Sequence, residues 1–321
     1  MSNKRLGPFR LAPWFSPRPW GRLDLRPWYT STGMSEPVGE AWLTGPQSVV
    51  ETGPMAGKTL AAVAAEAGEA LGLAGGRIDN DKGAEFPLLV KLLFPNDKLS
   101  VQVHPDDAQA QAMGQPRGKT ECWYVLEAEP GATIMLGLKP GATVDRVRAA
   151  IADGTLEEWM EFVPVTVGDM VFVDAGTVHA IGPGVVLLET QQTCDITFRM
   201  YDYGRPRELH VEQALRVMKL KTAAGKVRPV AMKGAGSGFV RLIEQKYFVV
   251  DRYDIAGVGE VTVPGGRAGC LVGLSGGAML ECEGAETVEL VRGKAVVLPA
   301  DCGEAIVGTG AGVSFVKCWA P

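Results

Sequence analysis

Hydrophobic and polar positions along this chain change period several times, and each change predicts an element. From Leu88 to Leu138 apolar residues come in short β-branched or aromatic runs broken by Pro, Gly and Asp, which predicts strands. The same pattern returns from Val163 to Tyr203. Thr59 to Leu73 is rich in Ala, Glu and Leu with no Pro, and predicts a helix. Thr143 to Glu161 predicts a second, with Val147, Ala150 and Ile151 on one face and Arg146, Arg148, Asp153 and Glu157 polar. Arg207 to Leu220 predicts a third. Residues 221–237 turn Gly, Ala and Lys rich and read as a linker, after which Phe239 to Trp319 gives short strands between Gly turns, an all-β sandwich or barrel. Residues 1–50 hold four of the seven tryptophans in turn-rich sequence, so aromatic packing instead of regular structure is expected there.

Length and charge narrow the picture. A chain of 321 residues exceeds what one hydrophobic core usually supports, which favours two domains. A net charge of −5 and a pI near 5.4 leave no electrostatic footprint for nucleic acid or an anionic membrane. An anionic ligand must therefore meet a local basic cluster. No window approaches the roughly 20 continuous apolar residues of a membrane helix, and the N-terminus is dense in Pro, Trp and Arg, so a cytoplasmic protein is expected. Cys122, Cys194, Cys270, Cys282, Cys302 and Cys318 form no Cys-x-x-Cys pair and read as reduced packing residues.

The chain has only three histidines, and two of them stand in strand-like segments. Side chains alternate along a strand, so Gln102 and His104 share a face, and Lys119 shares a face with Glu121 while Thr120 and Cys122 point away. Two imidazoles (His104, His179), a carboxylate (Glu121) and an amide oxygen (Gln102) make an N/O set suited to zinc, with positions left open for water or substrate. His210, between Glu208 and Glu212, reads as a surface or helix-cap residue. Gly168-x5-Asp174-x-Gly176-x2-His179 has a weak counterpart in Gly293 to Glu304, but the second half holds no histidine. One barrel is expected to bind metal and the other to support it.

Rival readings exist. Thr52-Gly-Pro-Met-Ala-Gly-Lys-Thr59 ends like a phosphate-binding loop, yet Thr52 replaces its first glycine and Pro54 removes a backbone N–H. A non-catalytic β-barrel that binds metal or sugar, or a metal oxygenase on the same barrel, would use similar strands. An oxygenase usually carries a compact His-x-His pair, whereas Gln102-x-His104 offers one imidazole.

The segments Gly39-Glu-Ala-Trp42, Leu89-Val-Lys-Leu-Leu93, Leu99-Ser-Val-Gln-Val-His-Pro-Asp106, Gly118-Lys-Thr-Glu121, residues 175–184 (AGTVHAIGPG) and residues 191–202 (QQTCDITFRMYD) carry a resemblance. From about Pro19 onward the chain resembles the type I phosphomannose isomerases, in their short bacterial two-cupin form. It departs at Cys194, where Ser is usual, at Tyr203, where Trp is usual, and after Trp42. The resemblance implies a mainly β fold of two cupin-like (jelly-roll) barrels with a few flanking helices, divided as a metal-binding domain 1–232 and a smaller domain 233–321. It implies one Zn2+ per chain on Gln102, His104, Glu121 and His179, with Lys119, Glu189, Asp195 and Arg199 lining a hexose 6-phosphate site. The expected reaction interconverts mannose 6-phosphate and fructose 6-phosphate by proton transfer through an enediol. Arg199 suits a phosphate because its planar fork binds bidentately, and on a strand it would share a face with Asp195. Lys119 stands narrowly first as base, ahead of Glu189 or a metal-bound hydroxide, although a free lysine pKa of about 10.4 would have to fall by roughly 3 units. A monomer or weak homo-oligomer, with neither nucleic acid nor membrane as partner, completes the expectation.

Overall fold

The computed structural model describes residues 6–30, 34–73, 84–233 and 238–321. Among these the strands form sheets of eleven, seven and five. The seven-stranded sheet runs Gly225–Val227, Met170–Val173, Glu121–Ala128, Val185–Gln192, Leu88–Leu93, Val38–Trp42, Trp14–Arg22. The five-stranded sheet runs Phe198–Tyr201, Val101–Val103, His179–Ile181, Thr133–Leu138, Met160–Pro164. Leu93, Trp123, Val125 and Leu187 from the first pack with Ile134, Leu136 and Ile181 from the second, closing a barrel-like sandwich.

Period-2 alternation explains why the seven-stranded sheet reads as continuous apolar runs. In Val185–Gln192, Val185 and Leu187 face the barrel interior, while Val186 and Leu188 join a second core. That core also takes Leu88, Val90, Leu92, Cys122 and Tyr124 from the seven-stranded sheet, and Val250, Cys270, Val272, Val297 and Val316 from the eleven-stranded one. A sheet buried on both faces needs apolar residues on both. Its few inward polar residues are therefore conspicuous.

The eleven-stranded sheet builds the second barrel around an apolar interior, where Phe239, Tyr253 and Phe315 stack with centroids 5.2 and 5.0 Å apart. Glu304, at the place His179 holds in the weak repeat, is exposed. The six cysteines form no disulfide. No helix of the described residues is long and apolar enough to cross a membrane.

Several expectations need correcting. The Trp-rich N-terminus is regular: Phe9–Ala12 pairs with Ala295–Leu298 of the second barrel, and Trp14–Arg22 with Val38–Trp42. Aromatic contacts do accompany it, as in Trp14 against Trp42 at 5.1 Å. The stretch read as a linker holds strands Gly225–Val227, in the seven-stranded sheet, and Val230–Met232, in the eleven-stranded one; its residues 234–237 lie outside the described residues. The helix expected over Thr143–Glu161 is Val144–Asp153, stopped by Gly154 at φ 73°, a left-handed cap that glycine adopts without strain. Within the region expected to be all strands, Asp106 caps the short helix Asp107–Ala112 through a capping box with Gln109. Thr59 spends its hydroxyl capping helix Leu60–Ala67, and Lys58 pairs with Glu66, so neither is left for a phosphate.

Candidate metal centre and active site

The site lies between the sheets of the first barrel, where strand alternation turns Lys91, Glu121 and Glu189 inward beside Leu93, Trp123 and Leu187. Register sets their neighbours: Glu189 is opposite Lys91 on one side and Trp123 on the other, and Gln191 is opposite Glu121. From the facing sheet, Gln102 pairs with both His179 and Arg199. His104 follows two residues after Gln102, just past the end of its strand.

His104, Glu121 and His179 converge, each with a ligand atom within 4.8 Å of the others. His179 Nε2 is 3.4 Å from Glu121 Oε1, and His104 Nε2 is 3.8 Å from Glu121 Oε2. Both rings are oriented from behind: His104 Nδ1 contacts the Ile196 carbonyl at 2.8 Å, and His179 Nδ1 the Thr177 carbonyl at 2.9 Å. A carbonyl only accepts, so Nδ1 carries the proton and each Nε2 presents a bare lone pair to the centre. Burial holds His179 neutral, its pKa pushed down to about 4, and drives His104 well below the usual histidine range. Gln102 touches His179 Nε2 through its amide nitrogen at 3.4 Å, and rotation of the amide turns its oxygen to the same point.

This donor set fits a divalent metal. His104 Nε2 is buried without a hydrogen-bond partner, an arrangement that is costly unless a cation satisfies it, while Glu121 Oε2, equally buried, has the Lys119 ammonium at 3.0 Å beside it. Two neutral imidazoles, a carboxylate and an available amide suit zinc. Cys122 points away into the core between the barrels, as the alternation predicts.

Beside these candidate ligands runs a chain of buried charges. Lys119 Nζ lies 3.0 Å from Glu121 Oε2 and 4.0 Å from Glu189 Oε1. Lys91 Nζ lies 3.4 Å from Glu189 Oε1, 3.5 Å from Asp195 Oδ1 and 3.8 Å from Glu40 Oε2, over the Trp42 ring. Burial opposes the Lys119 ammonium, but the carboxylates of Glu121, Glu189 and Asp195 outweigh it and hold Lys119 above the usual lysine range. Burial dominates at Glu189, which stays above the usual carboxylate range despite Lys119 and Lys91. At Glu40 the balance reverses: Lys91 and Arg18 overcome burial and hold it down to about 2.

These residues line a cavity of about 480 Å³ that also reaches Arg18, Ser100, Thr197, Arg199 and Arg207. The three arginines differ. Arg207 is bound twice by Asp202 at 2.6 Å, and Arg18 is paired with Glu40 at 3.1 Å. Arg199 has no carboxylate pair among the described residues; its Nη1 donates to the Glu208 carbonyl at 2.7 Å and its buried Nε has no partner. His210, read as a surface or cap residue, does stand at the N-cap of helix Val211–Val217, and its ring also braces Arg199 by accepting its backbone N–H at 3.2 Å. Asp195 precedes strand Phe198–Tyr201, so the same-face argument does not reach it, although Asp195 and Arg199 line one cavity. Lys91, Glu40, Arg18 and Arg207 were not singled out from sequence as site residues. Lys91 did leave a signal, a lone lysine in the apolar run Leu88–Leu93, since a charge inside such a strand must be paired.

A mainly β, cupin-like barrel with a buried two-histidine, one-carboxylate candidate metal centre opening on a cationic cavity is the class that this geometry defines. Residues 9–135 match the family model for the phosphomannose isomerase type I catalytic domain. A mannose-6-phosphate isomerase of Streptococcus mutans is 36% identical over 290 residues, covering 87% of this chain and 88% of its own. A probable mannose-6-phosphate isomerase of Bacillus subtilis is 33% identical over 320 residues, covering 92% and 95%. The crystal structure of the mannose 6-phosphate isomerase from Bacillus subtilis superposes with a TM-score of 0.85 at 30% identity, over 98% of this chain and 99% of that one. The chain belongs to the type I phosphomannose isomerase family.

Proposed function

We propose that this protein is a zinc-dependent aldose–ketose isomerase that interconverts mannose 6-phosphate and fructose 6-phosphate by moving a proton between C2 and C1 through an enediol. The observation that carries this reading is the buried, partnerless His104 Nε2 converging with His179 and Glu121, set beside the buried Lys119–Glu189 pair. Zinc held by Gln102, His104, Glu121 and His179, one ion per chain, would supply Lewis acidity toward the sugar oxygens.

The remaining work belongs to side chains. Arg199, free of a carboxylate pair, is the anchor for the phosphate, and Arg18 and Arg207 add positive potential. Lys119 and Glu189 handle the proton. A buried carboxylate raised above its ordinary range is a stronger base than a free one and can take and return the proton, and the adjacent Lys119 ammonium can donate to a carbonyl oxygen that gains charge. For Lys119 itself to serve as base, the hold of Glu121 must be relieved, which a cation on that carboxylate would do. Lys91 keeps Glu189 and Asp195 in place. Six cysteines without a disulfide suit the reducing cytoplasm as the place of work.

A coupled assay following fructose 6-phosphate from mannose 6-phosphate, together with elemental analysis, tests the reading. Turnover that a chelator abolishes and zinc restores is expected, with one zinc per chain. No turnover, or full turnover in metal-free protein, overturns it.

A further inference from the structure

Lys119 and Glu121 enter their strand through Gly118-Lys119-Thr120, and all three backbone N–H groups of that segment are committed. Gly118 donates to Asp107 Oδ1 at 2.9 Å, Lys119 to the Pro105 carbonyl at 3.0 Å and Thr120 to Gln192 Oε1 at 2.9 Å. The approach is close enough to require glycine, because a Cβ at 118 would stand 2.4 Å from the Asp106 carbonyl carbon. Asp107 Oδ1 also accepts from Gln192 Nε2 at 3.0 Å. One carboxylate oxygen thus ties together the loop after His104, the segment bearing Lys119 and Glu121, and the end of the strand that carries Glu189.

The other oxygen reaches across to the second barrel. Asp107 Oδ2 accepts from the Tyr247 hydroxyl at 2.6 Å, and Tyr247 sits in the turn between strands Phe239–Glu244 and Val249–Ile255. Lys246 adds only a loose contact at 3.7 Å, with its side chain 76% exposed. The Asp107 side chain is itself 30% exposed, so without the tyrosine Oδ2 would turn to water and the two bonds at Oδ1 would lose their fixed acceptor.

We propose that Tyr247 and Asp107 are positioning residues of the active site, through which the second barrel holds the Gly118–Glu121 segment in catalytic register. The kinetic consequence rests on the isomerase reading; the structural consequence does not. Tyr247→Phe removes the hydroxyl and keeps the ring. It should lower kcat about tenfold, leave KM within twofold and leave the zinc content unchanged. Amide hydrogen exchange should speed up in the peptide covering 116–121 and stay as in the wild type elsewhere. Asp107→Ala should cost more, Asp107→Asn less than Asp107→Ala, and the double variant Asp107→Ala/Tyr247→Phe no more than Asp107→Ala alone, because the tyrosine acts through the aspartate. Unchanged exchange at 116–121 in Tyr247→Phe overturns the proposal. So does a loss of kcat that comes with lost zinc, or faster exchange spread over the whole chain. If the wild type turns over no hexose 6-phosphate, the isomerase reading fails, and the exchange measurement alone decides whether Tyr247 holds the segment.

Discussion

Replacing Lys91 with Met should destabilise the protein by an amount that depends on pH, and its partners say how much. Lys91 is 3% exposed and faces Glu189, Asp195 and Glu40 at 3.4, 3.5 and 3.8 Å. The three carboxylates do not suffer equally. Asp195 is 54% exposed, so water takes over from the lysine. Glu40 keeps Arg18 at 3.1 Å and the Trp42 indole N–H at 2.6 Å. Glu189, 5% exposed, is left with Lys119 at 4.0 Å. A buried carboxylate stripped of its cation takes up a proton, and that escape bounds the cost. From a reference pKa of about 4.3, staying neutral at pH 7 costs at most about 3.7 kcal/mol, and at pH 5.5 about 1.6 kcal/mol. Because burial already raises Glu189 in the native protein, the loss on mutation should fall below that bound. The sign follows: folded Glu189 would hold a proton that the unfolded chain releases, so the deficit grows as pH rises from 5.5 to 7. At about 2 °C per kcal/mol for a large domain, the thermal midpoint should drop by up to about 7 °C at pH 7 and by no more than about 3 °C at pH 5.5. Glu189→Gln added to Lys91→Met should recover most of the loss. An equal drop at both pH values, or no recovery in the double variant, would refute the charge-pairing argument.

Other outcomes follow from the same geometry. His104→Ala and His179→Ala should each lose metal and activity together; activity lost with full zinc retained, read by elemental analysis, would contradict the ligand assignment. Lys119→Met should lower kcat by orders of magnitude with zinc intact, and near-normal turnover would eliminate Lys119 from proton handling. Arg199→Ala should raise KM for the sugar phosphate by roughly 10- to 150-fold, the equivalent of about 1.5–3 kcal/mol for hydrogen bonds to a charged group; an unchanged KM would move the phosphate elsewhere. His179, depressed to about 4, should make no pH-dependent contribution above pH 6.5. As pH falls from 6.5 toward 4 the unfolded chain protonates first, and metal-free protein should lose up to about 3 kcal/mol from this group, readable in urea unfolding.

How much of this was legible in the sequence depends on whether each feature is local. Gln102 and His104 two apart, and Glu121 two after Lys119, are spacings the sequence displays, although His104 lies just past its strand and Lys119 just before its own, and the structure does turn Cys122 away from the site. The N-terminal strands were hidden for the opposite reason. Phe9 pairs with Val297, and no local signal in a Pro- and Trp-rich stretch can announce a partner so distant. Arg18 and Arg207 reach the cavity by the same kind of long-range route. Asp195 illustrates the limit from the other side: strand spacing to Arg199 does not apply, because the strand begins only at Phe198.

The two barrels diverge in what fills them, and the divergence explains why the second one matters to the site. In the second, stacked Phe239, Tyr253 and Phe315 occupy the interior. In the first, inward positions are spent on Lys91, Glu121, Glu189, His104 and His179, groups whose burial opposes folding until each is paired or liganded. The first barrel therefore forgoes apolar contact where its chemistry sits. What it regains comes from outside: Leu88, Val90, Leu92, Cys122, Tyr124, Val186 and Leu188, on the other face of those same strands, are buried against the second barrel. Burying one such leucine is worth about 1.5–3 kcal/mol. Every strand that turns a charge inward at Lys91, Glu121 or Glu189 is thus held from behind by apolar residues one position away, so the second barrel is a condition for a polar interior in the first.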